Sequence, residues 1–144
     1  MIVPQVYGID NFSRGYLMVQ IKINGMKQML DKLGSIDAIK ALEPAMQRAV
    51  LRLEGRMKVY PPTRPGQRYV RTGTLGKRWT NKLEHVTGGL RGKIGNNTVY
   101  GPFVQSSQFQ RPFFRNRWQT DQQVLDEERG AIIQDFERAI AAAL

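Results

Sequence analysis

The side chains with the most versatile chemistry are scarce in this chain. His85 is the only histidine and there is no cysteine. Metal sites built on paired imidazoles or thiolates are therefore excluded, as are thiol nucleophiles and disulfides. A Ser-His-Asp arrangement would have to use His85, and no nucleophile-elbow sequence accompanies it. A lone His beside Glu84 in a strand-like run reads as an ordinary surface or sheet residue. Gly73-Thr74-Leu75-Gly76-Lys77 has some likeness to a phosphate-binding loop. That motif, however, needs a Gly where Arg71 stands and a hydroxyl where Arg78 stands. Asp126, Glu127 and Glu128 are cation ligands in principle, but at the start of a helix their simpler role is to complement the helix dipole. With no coherent set of nucleophile, base and oxyanion donors, the chain reads as a non-enzyme with no catalytic residue, metal or cofactor.

The chemistry that remains is charge and stacking. The net charge is +10 over 144 residues, and it is concentrated. Between Arg56 and Trp118 there are thirteen Lys or Arg against Glu84 alone, while the flanks together are slightly acidic. Such a block suits nucleic acid, an acidic protein surface, or simple solvation. Aromatics interleave it in Arg68-Tyr69, Arg78-Trp79, Arg111-Pro112-Phe113-Phe114-Arg115 and Arg117-Trp118, the combination single-stranded nucleic acid uses. Packing of Trp79 and Phe113 in a core, with the arginines facing solvent or a partner, is the competing reading.

The elements that must position these residues follow from periodicity. Leu17, Val19, Ile21 and Ile23 alternate with polar or less apolar residues and predict a strand from Tyr16 to Asn24. Met26, Met29, Leu30 and Leu33 predict a short helix closed by Gly34. Met46, Ala49, Val50, Leu53, Met57 and Tyr60 share one helical face; because Pro44 suits a first turn, this helix is expected to start near Glu43, and Pro61-Pro62 stops it. Gly55 within it suggests close packing at that point. Residues 61–73, rich in Pro, Gly and Arg, read as a long loop. Leu75 to Thr87, with Trp79, Leu83 and Val86 inward, and Leu90 to Ile94 predict a hairpin turning at Gly88-Gly89. Val99, Tyr100, Phe103 and Val104 form an apolar patch interrupted by Gly101-Pro102. Val124, Leu125, Ile132, Ile133, Phe136, Ala139 and Ile140 define a C-terminal amphipathic helix with Gly130 as its weak point.

The expected architecture is α+β: a small antiparallel sheet covered by a long central helix and a C-terminal helix. Residues 1–15, broken by Pro4, Gly8 and Gly15, are expected to form a flexible arm, with 16–144 a single domain carrying the 61–73 loop. No stretch approaches the roughly 20 apolar residues of a membrane span, and the start lacks the pattern of a secretory signal. The chain therefore reads as soluble and unexported, with no membrane partner.

The order of segments resembles the tail-completion, or head-to-tail joining, family of small proteins of long-tailed bacteriophages and prophages. The pieces that carry the resemblance are Ile23-Asn24-Gly25 followed by Met26 to Leu33, the Ala45 to Tyr60 helix ending in Pro61, and Arg71-Thr72-Gly73-Thr74-Leu75. They continue with Val99-Tyr100-Gly101-Pro102-Phe103-Val104, Arg111-Pro112-Phe113-Phe114, and Val124 to Leu144. The linker from Pro61 to Arg71 is longer than the family's usual spacing, and Gln105-Ser106-Ser107 replaces its Glu-x-Gly-Thr.

The resemblance implies a structural assembly protein of a phage or prophage tail. It would act at the head-tail junction or tail end as a homo-oligomeric ring, of about six subunits by tail symmetry, docked to neck, connector and tail-tube proteins. Its expected place is the bacterial host cytoplasm during assembly and then the virion tail. A heterologous ring needs two different complementary surfaces, which the cationic middle and the acid-bearing last helix are candidates to supply. The candidate contact residues are Arg64, Arg68, Tyr69, Arg71, Thr72 and Gly73 in the loop, Leu75, Lys77 and Arg78 after it, and Arg111, Arg115 and Arg117 before the last helix. The alternative is a nucleic-acid-binding protein using Arg68, Arg71, Lys77, Arg78 and the interleaved aromatics, and DNA contact is the less favoured partner assignment.

Overall fold

The structure, a computed structural model, describes residues 3–8, 17–24, 31, 35–67, 71–86 and 89–143. Strand β1 (Val3–Gly8) pairs antiparallel with β2 (Leu17–Asn24), Val3 opposite Asn24 and Gly8 opposite Val19. Helix α1 (Ser35–Met57) follows, then the 61–73 loop and the short helix α2 (Thr74–Lys77). Strands β3 (Trp79–Val86) and β4 (Gly89–Asn96) form the expected hairpin, and β4 also pairs antiparallel with β2. The sheet order is β1-β2-β4-β3. Helix α3 (Gly101–Gln105), a single 3-10 turn (Pro112–Phe114) and helix α4 (Asp121–Ala143) complete the described chain.

This is the expected α+β architecture, with α1 lying over β3 and β4 and α4 packed along α1 and over β1. The alternation along β4 explains why one face is covered. Leu90, Gly92, Ile94 and Asn96 are buried, while Arg91, Lys93 and Gly95 between them are partly open. Val19, Ile21, Leu90, Ile94 and Trp79 meet Leu42, Met46, Val50, Leu53 and Met57 of α1 and Val124, Leu125, Ile132 and Phe136 of α4. Each large aliphatic or aromatic side chain so buried contributes about 1.5–3 kcal/mol. Gly92 lets α1 lie this close: a Cβ there would stand 2.5 Å from Met46 Sδ and 2.6 Å from Val50 Cγ1.

Several expectations are corrected. The main helix begins at Ser35, not near Glu43, and runs through Pro44. Ile39 and Leu42 extend the apolar stripe ahead of the proline, and Pro44 faces outward, so the carbonyl it cannot serve lies on the solvent side. Within the expected flexible arm, residues 3–8 form β1; β2 would otherwise present an unpaired edge, and an edge strand tolerates Pro4. Leu75 to Lys77 form a helical turn where a strand was expected to begin. Nothing lies within 4 Å of a Cβ built at Gly55, so that glycine serves no close packing. Of the Met26–Leu33 helix only Asp31 is described, as helical; the rest lies outside the described residues.

Candidate functional site: an arginine-lined cleft

A second, smaller apolar cluster sits where the loops gather beyond the sheet. Leu75, Val104 and Trp118 are buried there, with Tyr60 and Phe114 packed against them. Each segment is held by a specific bond. Tyr60 accepts a hydrogen bond on its hydroxyl from Gly76 N at 2.8 Å, which ties the end of α1 to α2. Gly73, at φ 78°, makes the left-handed turn that opens α2, a conformation that favours glycine. Asn96 Nδ2 donates to Leu75 O at 2.7 Å, fixing α2 to the end of β4. The Gln110 side-chain amide donates to Val104 O at 2.8 Å and Trp118 O at 2.9 Å and so closes the 104–118 loop on itself. Gln105 Nε2 donates to Met57 O and Gln119 Nε2 to Arg56 O, satisfying carbonyls that the last turn of α1 leaves open. Thr120 and Gln123 form a reciprocal capping box at the start of α4: Gln123 N donates to Thr120 Oγ1 and Thr120 N to Gln123 Oε1.

Above this cluster opens a cleft of about 520 Å³ with Leu75, Val104 and Trp118 as its floor and Arg64, Arg71 and Arg117 on its walls. Thr72, Gly73, Tyr100 and Phe113 also line it, and no carboxylate among the described residues does. The Arg71 guanidinium lies 5.4 Å from the Trp118 ring centre and 5.7 Å from that of Tyr60, and it donates to Pro61 O. Arg64 lies 5.0 Å above Phe113, and Arg117 donates to Pro62 O at 3.5 Å. Asn116, at φ 61°, makes the left-handed turn leading into Arg117, which Asn tolerates better than most residues. Desolvation, reinforced by the nearby charges of Arg64 and Arg71, holds the Arg117 pKa below the usual guanidinium value.

The contact residues expected from sequence therefore divide. Arg64, Arg71, Thr72, Gly73, Leu75 and Arg117 come together in the cleft, although Leu75 is buried in its floor and is not an open contact. Lys77, Arg78 and Arg115 are exposed outside it, and Arg111 covers the Phe103 ring at 4.8 Å. Arg68 and Tyr69 lie outside the described residues. Reading the sequence in linear order missed Tyr60, Tyr100 and Val104 as cleft residues; Tyr60 stood as a core position of the main helix, and the pairing of 60 with 104 and 118 is a tertiary fact.

The acids are placed differently from expectation. Arg48 pairs with Asp135 at 2.9 Å, Arg52 with Glu128 at 3.2 Å, and Arg56 with both Glu127 and Glu128. The hydrogen bonds that Arg56 donates to Glu127 and then Glu128 raise its pKa. Glu127 and Glu128 thus bind α1 rather than serving the helix dipole, while Asp126 and Glu137 of α4 are exposed. On the open sheet face Glu84 accepts from Lys93 and Lys82, and these bonds, led by Lys93, lower its pKa. His85 Nε2 lies 2.7 Å from Glu43 Oε1. Among the described residues, none of Arg64, Arg71, Lys77, Arg78, Arg111, Arg115 and Arg117 forms an ion pair.

The amides of the Gly73–Lys77 segment turn inward, Gly76 N to Tyr60 and Lys77 N to Gly73 O, rather than forming an anion cradle. Among the described residues no group of three or more His, Asp or Glu gathers as metal ligands, and no helix is long and apolar enough to cross a membrane. Comparison with protein families, with curated proteins and with solved structures gives no match.

Proposed function

We propose that the chain is a structural assembly protein of a phage or prophage tail. It acts without catalysis at the head-tail junction or tail end, forming a ring with itself and docking neck or tail proteins. The order of sequence segments suggests the class. The observation that carries the docking role is the cleft: three arginines on an apolar floor, none of them neutralised by a described carboxylate, while Glu127, Glu128 and Asp135 of α4 are engaged by α1. Unpaired guanidiniums on an apolar surface favour an acidic protein partner, because charge complementarity and burial then act together.

The nucleic-acid alternative draws less support. Trp79 and Trp118 are buried, and Tyr60, Phe103 and Phe113 each carry a guanidinium on one ring face, so few rings are offered to bases. Native mass spectrometry and electron microscopy at low and high salt test the assembly reading. The expected result is closed oligomers, alone or with co-expressed neck proteins, that dissociate as salt rises. A chain that stays monomeric in both settings at low salt, or that binds labelled single- or double-stranded DNA with a steep salt dependence instead, overturns it.

A further inference from the structure

The cleft has features beyond net charge that narrow its partner. Its volume, about 520 Å³, lies within the roughly 300–1,000 Å³ range of clefts that enclose ligands. Its floor of Leu75, Val104 and Trp118 is apolar, so a fully hydrated anion would leave that surface uncovered. The guanidiniums are already oriented. Arg71 is stacked against Tyr60 and Trp118 and anchored to Pro61, and Arg64 is stacked on Phe113. A guanidinium carries five N–H donors, so the one bond from Arg71 to Pro61 O leaves others for a planar acceptor. Little further rotamer entropy is lost when a ligand arrives.

We propose that this cleft binds an extended segment of another polypeptide in which a carboxylate is flanked by apolar side chains. The carboxylate accepts from Arg64, Arg71 and Arg117, and a neighbouring aliphatic or aromatic group covers the Leu75–Val104–Trp118 floor. This deepens the docking reading above by naming the chemistry of the partner. Two other occupants fit the surface less well. A nucleic acid needs a run of open ring faces and a groove that follows its backbone, whereas Trp118 is buried, Tyr60 and Phe113 each have a guanidinium over the ring, and the cleft is a single pocket. A second copy of this chain would have to donate acids from α4, where Glu127, Glu128 and Asp135 are held by α1 and the exposed Asp126 and Glu137 stand on a helix rather than on an extended segment. The lowered pKa of Arg117, from desolvation and then from Arg64 and Arg71, agrees with a cation group that gains from an arriving anion.

The test uses the full chain and follows the Trp118 indole resonance by NMR during titration. The probes are the N-acetylated, C-amidated pentapeptide Leu-Glu-Phe-Asp-Leu, its amide analogue Leu-Gln-Phe-Asn-Leu, and a thymidine pentanucleotide. The acidic peptide is expected to shift the Trp118 signal saturably and to bind about tenfold more tightly than the amide analogue, as loss of charge-assisted hydrogen bonds predicts. Arg64→Gln and Arg117→Gln are each expected to weaken it about five- to tenfold, while Arg138→Gln, an exposed cation on α4, changes it less than about twofold. Thermal melts check that the variants fold, and having two independent cleft variants keeps the outcome decisive if one does not.

Equal affinity for the acidic and amide peptides overturns the proposal, as does preferential binding of the pentanucleotide or the absence of any saturable shift. A Trp118 shift that grows with protein concentration alone and disappears in Arg117→Gln assigns the cleft to a second copy, which also overturns it. Rings without peptide binding would remove this inference and leave the assembly reading standing; peptide binding by a chain that never assembles would do the reverse.

Discussion

Along α1, Arg48, Arg52 and Arg56 recur one turn apart and meet Asp135, Glu128 and Glu127 of α4 across the seam of two antiparallel helices. Arg64 and Arg71, from the 61–73 loop, and Arg117, from the segment before α4, converge on an apolar cleft that no carboxylate among the described residues lines. The same side chain therefore has two roles within one small domain. In the seam, the guanidinium is matched by its own chain and joins two helices. In the cleft, aromatic rings and backbone carbonyls orient it, and no described carboxylate matches its charge. A group oriented by its own fold but paired with no described carboxylate is better suited to recognition than to stability.

The largest expected effect removes the apolar base on which the cleft rests. Leu75→Ala should lower unfolding free energy by about 2–4 kcal/mol, read from the urea midpoint, and abolish the peptide-induced Trp118 shift. A change near zero would mean that the cleft has no packed floor and that its arginines are not held as described. Next comes the seam. Glu128→Gln leaves Arg52 and Arg56 short of a partner and should cost roughly 1–2 kcal/mol at low salt, between the values for exposed and buried pairs. A double-mutant cycle with Arg56→Gln should return a coupling energy that shrinks as salt is added.

The contrast is sharpest in Arg117→Gln, which removes a cation from the cleft. Its thermal midpoint should stay unchanged or rise, because desolvation and the charges of Arg64 and Arg71 disfavour the charged form. A loss comparable to that of Glu128→Gln would erase the distinction between the two regions. The smallest effect lies on the open sheet face, outside both. Glu84 has a lowered pKa in the fold, so its contribution is present above the unfolded carboxylate value and is lost as pH falls through the folded one. Wild-type and Glu84→Gln chains compared by acid titration should therefore differ by a constant amount above about pH 5 and converge below it. A difference that grows on acidification would have the wrong sign.

Much of the frame was readable from residue order. The alternation in β2, the hairpin that turns after Val86, and the apolar stripe of α1 and α4 all lie in local periodicity, because one face of each element must be buried. Pro44 misled, since a local rule about helix starts was overridden by Ile39 and Leu42 packing on the core ahead of it. The Thr120–Gln123 cap and the role of Gly92 were not read from residue order: the first shows only once the start of α4 is fixed, and the second depends on the approach of Met46 and Val50.

The sequence by itself determined that this chain has no histidine pair or thiol with which to do chemistry, that its charge is concentrated between Arg56 and Trp118, and that helices must cover a sheet. Only the tertiary structure decided which of those charges are matched. Ion pairs such as Arg48 with Asp135 join residues far apart in the chain, and the cleft brings residue 60 to residue 118. Net charge is a sum over the chain, whereas neutralisation depends on distances of a few ångströms between side chains. Those distances are set by the way α1, α4 and the loops pack.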